Sequence, residues 1–224
     1  MDPDSKAAKS SLSEDTYLAI RQALIDGSFK PGQRLSEPEL ALRFRTSRSP
    51  VREALLRLEH DGFLERTQNG QVRAKPLDVS DFEALYVIRA NAEGLAVRLA
   101  TPRLRTIDLE EMGLRLDELE KLARKGDPDG AVAAGPGFHD VIPRECGNPL
   151  LVEILGGLRA RISRFRILVG SPEYEKEKIV EYRRILKALY QRSPEQAEAE
   201  MIRHVNRSAT AFVAKLRRRI ENQS

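Results

Sequence analysis

The sequence predicts a mainly α-helical chain in two parts: a small N-terminal head of short helices closed by a two-stranded hairpin, then an antiparallel bundle of about six helices. Three observations carry that expectation. Ala, Leu, Arg and Glu dominate the 224 residues, and these residue types favour helix. Apolar residues recur at helical spacing through most of the chain, as at Val51, Ala54, Leu55 and Leu58. Strand-like pattern is confined to Phe63–Arg66 and Val72–Ala74, which flank Gln68-Asn69-Gly70-Gln71, and Asn-Gly is a strong hairpin signal.

Composition narrows the classes. With 41% hydrophobic and 32% charged residues the chain can bury a core. The net charge is only +4, so the basic character is local, compatible with nucleic acid without demanding it. The lone Cys146 excludes an internal disulfide and a cysteine zinc site. No apolar run reaches about 18 residues, so no membrane span is expected. Met1–Ser13 is polar and lacks the apolar core of a signal peptide. Residues 1–14 are therefore expected to form a disordered tail, and the protein to be cytoplasmic.

The head covers residues 15–76. Thr16–Asp26 reads as a helix with Tyr17, Ile20 and Leu24 on one face, stopped by Gly27. Pro31-Gly32 suits the centre of a type II turn. Ser36 and Glu39 have the spacing of a capping box and open a second helix, with Leu40, Ala41 and Phe44 inward. After a break at Arg45-Thr46 comes Ser47–Leu58. Ser49 reads as its N-cap and Pro50 as its first-turn residue. Val51, Ala54, Leu55 and Leu58 form an apolar stripe, and Arg48 and Arg52, four apart, point off it together. Between Ala41 and Arg57 stand five arginines (43, 45, 48, 52, 57) and one acid, Glu53. Such a helix end offers backbone N–H and guanidinium groups to phosphate together. Alone, the stretch is equally well a solvated basic face. The order of elements weighs against that: a helix, two helices across a tight turn, then a hairpin is a helix-turn-helix with a wing. The second helix of such a unit reads the major groove. The wing tip at Asn69-Gly70, with Arg66 and Arg73 nearby, would approach the minor groove or the backbone.

A linker is expected at 77–80 and the bundle at 81–220. Its first helix, Asp81–Ala100, carries Leu85, Ile88, Ala92, Leu95 and Leu99 at helical spacing. Ile107–Lys125 follows. A third helix runs from about Pro128 to Glu145, with a kink or break at Gly135-Pro136-Gly137. Leu150–Val169, Pro172–Arg192 and Pro194–Ile220 complete the set, and short breaks between helices make a bundle. No nucleophile–base arrangement points to an enzyme. Gly135-Pro136-Gly137 lacks the strand and spacing of a phosphate loop, and Gly147-Asn148-Pro149 beside Cys146 reads as a helix break and cap.

Several of these residues also carry a resemblance. Pro31-Gly32-Gln33-Arg34-Leu35-Ser36-Glu37, Ser47-Arg48-Ser49-Pro50-Val51-Arg52-Glu53-Ala54-Leu55, Leu58 and Asp61-Gly62-Phe63-Leu64 resemble the winged helix-turn-helix of GntR-family transcription regulators. Leu85-Tyr86-Val87-Ile88-Arg89, Glu93, Ala96, Phe138-His139 and Gly147-Asn148-Pro149-Leu150, with the Tyr182/His204 spacing, resemble the all-α FCD effector domain of its FadR subfamily. The resemblance implies a homodimeric transcription regulator, more often a repressor, on a near-palindromic double-stranded operator, released or tightened by a small organic-acid effector. It implies DNA contacts from Arg48, Ser49 and Arg52, with Ser47 beside them, and from the wing at Asn69 and Gly70. Arg45 stands where the family usually has Gly and is a candidate backbone contact; Pro38 removes a contact that many members make.

Many members of the subfamily hold a divalent metal with one Asp and three His. Here Gly135 stands at the Asp position, His139 at the first His, Tyr182 at the second and His204 at the third. Two of the four ligands are replaced. Three readings stay open. The preferred one is a pocket without metal, with His139, Tyr182 and His204 as hydrogen-bonding groups and Arg89, Arg161 or Arg164 supplying positive charge. The others are a weak metal on His139 and His204, and a pocket lost altogether, with Tyr182 filling the volume.

Overall fold

The computed structural model describes residues 3–125, 140–169 and 175–221, with side chains described over 12–125, 140–169 and 177–218. The chain divides into two units: Met1–Asp78 with Ala160–Gly170, and Val79–Arg159 with Ser171–Ser224.

The first unit contains α1 (Pro3–Ile25), α2 (Glu37–Arg43), α3 (Arg48–His60), β1 (Leu64–Arg66) and β2 (Val72–Ala74). Helix α1 begins at Pro3, not Thr16, and so runs through the stretch expected to be a disordered tail. No Gly or Pro interrupts 4–25, and Ala, Lys and Ser supply nothing that would break a helix. Tyr17, Ile20 and Leu24 are buried as their spacing predicts, and Leu40, Val51, Leu55, Leu58, Phe63 and Leu64 close one core around them. The type II turn forms: Gln33 N–H donates to Lys30 O at 3.0 Å and Gly32 has φ 77°.

Helix α2 differs from expectation at its N-terminus, while its end falls at the expected break of Arg45-Thr46. Ser36 is its N-cap but makes no side-chain cap bond, so the capping box with Glu39 does not form. Pro38 occupies the second helical position, where it removes one of the N–H groups such a cap would satisfy. At the C-terminus Arg45 N–H donates to Leu42 O and Thr46 N–H to Ala41 O, with Arg45 at φ 51°. This is a Schellman closure with arginine at the left-handed position that glycine usually takes.

Strands β1 and β2 pair antiparallel, Leu64 opposite Ala74 and Arg66 opposite Val72. The loop is not a two-residue Asn-Gly turn. Gly70 N–H donates to Thr67 O (2.8 Å), Thr67 N–H donates to Gln71 O (2.9 Å) and Gly70 alone is left-handed, φ 75°. That is a three-residue loop with a glycine bulge. The segment after the type II turn adds a further edge: Ala74 N–H donates to Gln33 O (2.8 Å) and Leu35 N–H to Val72 O (2.9 Å). Nothing in the alternation of residues 33–35 indicated it.

The second unit is helical: α4 (Val79–Ala100), α5 (Thr106–Lys125), a helical segment over 140–145, α6 (Pro149–Val169, whose residues from Ala160 belong to the first unit), α7 (Glu175–Tyr190) and α8 (Pro194–Glu221). The start of α4 at Val79 falls inside the expected linker. The break expected at 135–137 lies outside the described residues. Asn148 caps α6, its Oδ1 accepting from Leu151 N–H at 3.1 Å. Helix α7 ends at Tyr190, and Arg192 (φ 53°) makes the closing turn before Pro194.

Helix α4 packs along α8, and α5 and α8 along α7. The stripe expected on α4 is displaced. Its inward face is Phe82, Leu85, Tyr86, Arg89, Glu93, Val97 and Ala100, while Ile88 and Leu95 are 56% and 41% exposed. The helix is apolar on both sides, and its core face carries the charges, so apolar spacing placed Leu85 correctly but put Ile88 and Leu95 inward in error. Gly94 marks the crossing with α8: a Cβ there would lie 2.7 Å from Ile202 Cγ1.

Candidate nucleic-acid interface and bundle interior

The N-cap of α3 is Ser47, not Ser49, and the helix starts at Arg48. Pro50 is then the third helical residue, still within the turn whose N–H groups have no intrahelical acceptor, so its ring is tolerated. Ser47 makes no side-chain cap bond, which leaves the first-turn N–H groups to an external acceptor. Val51, Ala54, Leu55 and Leu58 are all buried, and this fixes the roll of α3. Arg45, Ser47, Arg48, Ser49 and Arg52 are consequently exposed, as are Asn69 and Gly70 at the wing tip.

The arginines of this surface are of two kinds. Several are committed internally. Arg57 donates to Glu14 (2.7 Å) over the Tyr17 ring, whose hydroxyl donates to Asp61 (2.6 Å). Arg66 donates to Glu59 (2.9 Å) and to Gly70 O (3.1 Å), which ties down the wing tip. Arg73 pairs with Glu65 (2.6 Å), and Arg43 lies over the Phe29 ring at 4.4 Å. By contrast Arg34, Arg45 and Arg48 are in no ion pair among the described residues, and all three are exposed.

Arg52 is a third case. Its Nε and Nη2 donate to the two carboxylate oxygens of Glu37, both at 2.8 Å. This hydrogen bond, with the charge of Arg52 and the field of Arg48, outweighs desolvation and holds the Glu37 carboxyl below the usual carboxylate range. Arg34, Glu37, Arg52, Arg66, Asn69 and Gly70 line a cleft of about 330 Å³ between α3 and the wing. Sequence reasoning brought Arg52 and the wing tip to one surface but missed Glu37. It stands 15 residues from Arg52, a separation with no helical or strand periodicity to reveal it.

Inside the bundle, Arg89 Nε and Glu93 Oε1 pair at 2.8 Å, with side chains 5% and 4% exposed. Burial opposes the Arg89 charge, but Glu93 and the nearby tyrosines more than compensate, and its pKa is raised. His204 Nδ1 lies 2.8 Å from Glu181 Oε2, and Arg207 Nε 2.9 Å from Glu181 Oε1. Burial lowers the His204 pKa against the opposing pull of Glu181, so the imidazole is held neutral. Tyr182 packs on His204, ring centroids 4.6 Å apart. Beside Glu93, a crevice lined by Ala96, Ile142, Leu155, Arg159 and Met201 is too tight to admit a water molecule.

Arg161 and Arg164 do not join this cluster; both belong to the first unit. A Cβ on Gly62 would lie 3.0 Å from Arg161 Cζ, and Arg164 donates to Lys75 O. Burial brings the Arg164 pKa down to about 10. His139 and Gly135 lie outside the described residues. Among the described residues no three His, Cys, Asp or Glu side chains group to hold a metal. The second-ligand position is a phenol packed at a tilt against the third ligand, and that third ligand is already bound to Glu181. These residues do not fit the family's metal.

Residues 12–73 match the family described as bacterial regulatory proteins, gntR family, and residues 84–207 match the FCD domain. The chain is 31% identical to the uncharacterised HTH-type transcriptional regulator YdhC of Bacillus subtilis, over 85% of this chain and 86% of that one. It is 28% identical to a probable D-xylose utilization operon transcriptional repressor of Paenarthrobacter nicotinovorans, over 83% and 82% of the two chains. The structure of Escherichia coli McbR/YncC superposes with a TM-score of 0.70 at 25% identity, covering 90% of this chain and 96% of that one. No helix among the described residues is long and apolar enough to cross a membrane.

Proposed function

The chain belongs to the GntR family and carries an FCD domain, so it is a transcription regulator and not an enzyme; from that premise we propose that it acts as a homodimer on a near-palindromic operator, as a repressor. The observation that supports this most is the make-up of α3. Its apolar face is buried, which turns Arg48, Ser49 and Arg52 and the uncapped first-turn N–H groups outward together. Arg45 and Arg34 add positive charge that is unpaired among the described residues, and Asn69-Gly70 a second contact point across the cleft. Pairing of two chains is supported by apolar residues left exposed on the second unit: Val87, Ile88 and Leu95 on α4, and Leu150, Val152 and Ile154 on α6. Gel retardation on the DNA upstream of its own gene tests the reading. A discrete retarded complex at physiological salt is expected; smearing identical to that on unrelated DNA contradicts it.

For the effector, we propose a small carboxylate held in the bundle without metal, next to Arg89, Tyr182 and His204. Arg89 supports this because its Nη1 is buried without a hydrogen-bond partner among the described residues. Effector and operator binding are then reciprocally coupled. A specific observation favours a second reading, a pocket that no longer responds: Glu93 already neutralises Arg89, and the space beside Glu93 is too tight to admit a water molecule, whereas ordinary ligand pockets hold roughly 300–1,000 Å³. A thermal-shift screen of small organic acids, with and without divalent metal, separates the two. An acid that stabilises the chain without metal supports the pocket; none doing so supports its loss.

A further inference from the structure

We propose that Glu37 sets the sequence preference of the head by fixing the orientation of Arg52. The inference rests on α3 being the helix that enters the major groove. Both partners stand on rigid backbone. Glu37 opens α2 between the buried Leu35 and Leu40, and Arg52 lies between the buried Val51 and Leu55. The two hydrogen bonds, 2.8 Å each, place guanidinium and carboxylate fork to fork. Stability does not account for the pair: with side chains 67% and 29% exposed it is a surface ion pair, and such pairs contribute little. Nor does general affinity for DNA, since a carboxylate among Arg34, Arg48, Arg52 and Arg66 weakens attraction to phosphate.

What the pair does is orient. A guanidinium has N–H donors and no acceptor. Glu37 takes the Nε edge and one Nη2 hydrogen, which leaves the outer Nη1/Nη2 edge as a donor pair held in a fixed plane at the mouth of the cleft. Two parallel donors match O6 and N7 of guanine. They mismatch adenine, which presents N7 beside an amino donor. Released from Glu37, the same arginine could turn to any nearby phosphate. The structure thus assigns the Arg52–Glu37 pair to a guanine edge, with Glu37 as the positioning residue.

The test starts from a duplex selected by the intact wild-type chain out of a random pool, with a shuffled duplex of the same composition as reference. Glu37→Gln is expected to lower the preference for the selected over the shuffled duplex by roughly 5- to 100-fold. It is also expected to bind the shuffled duplex somewhat more tightly, because a negative charge has left the DNA face. Reselection with the variant should lose one guanine from the consensus. Arg52→Lys, which keeps the charge and loses the fork, should give the same loss of preference, and the double variant no further loss. A melting temperature within the wild-type range shows that the fold is intact. If Glu37→Gln selects the same guanine with the same preference, the assignment is wrong while the groove-helix reading stands. If the wild type selects no sequence at all, both are wrong.

Discussion

Arg89 and Glu93 stand one helical turn apart on α4 and form an ion pair inside the bundle, Nε to Oε1 at 2.8 Å, with neither side chain more than 5% exposed. A buried pair of this kind is costly to break and cheap to replace as a whole. Glu93→Leu alone, which leaves a buried guanidinium unpaired, should cost about 3–5 kcal/mol. Arg89→Met with Glu93→Leu together should lie within about 1.5 kcal/mol of wild type, on either side. Urea unfolding of the three chains measures this. Additive losses in the double variant would show that the two residues do not act as a pair.

The same two residues explain what could and could not be read from the sequence. The core face of the head was legible because its signals are local: Val51, Ala54, Leu55 and Leu58 lie one turn apart, and Gly27, Pro31-Gly32 and Gly70 mark turns. The face of α4 was not, because its core side holds Arg89 and Glu93 while Ile88 and Leu95 remain outside. Apolar spacing assumes that charge faces water, and a buried ion pair inverts that assumption. Arg161 and Arg164 failed differently. Their helix enters the first unit after Ala160, and no feature of α6 itself records which neighbours its last turns meet. Glu37 was hidden because its partner is distant in sequence.

His204 makes the stability of the chain pH-dependent. Its folded pKa lies below the unfolded value of about 6.5, mainly because burial disfavours the charged ring. The fold therefore carries the full benefit of the neutral imidazole above about pH 6.5. As the pH falls below that, the unfolded chain takes up a proton that the folded chain refuses, and stability declines until the folded pKa is passed. Melting temperatures from pH 8 to pH 5 should fall more steeply for wild type than for His204→Asn, which cannot titrate. Parallel curves would mean that the ring is solvated in the folded protein.

Metal removal should change nothing. With Tyr182 packed against His204 and Nδ1 engaged by Glu181, a chelator should leave the melting temperature unmoved. The chain should also emerge from gel filtration without stoichiometric metal by mass spectrometry. Stoichiometric metal would show that His139, outside the described residues, completes a site with His204.

Arg45 holds a left-handed conformation, φ 51°, that is strained for any residue with a side chain. Arg45→Gly relieves the strain but loosens the unfolded chain, so its stability should stay within about 1 kcal/mol of wild type. Arg45→Val, with a branched Cβ, should lose roughly 1–2 kcal/mol. Binding to any DNA should weaken for both, because each removes an exposed cation. Denaturant melts and a DNA titration check the two effects separately. Equal stability of the Gly and Val variants would argue against the left-handed turn.

The central claim is that the N-terminal end of α3 meets DNA, and Arg48 tests it most directly, being exposed, free of ion pairs among the described residues and remote from the core. The measurement is a fluorescence titration of wild type and Arg48→Ala against one selected duplex at several salt concentrations. The account predicts unchanged melting, affinity at least about tenfold weaker and a salt slope shallower by about one for each head engaged. The same affinity and the same slope for both chains would contradict it.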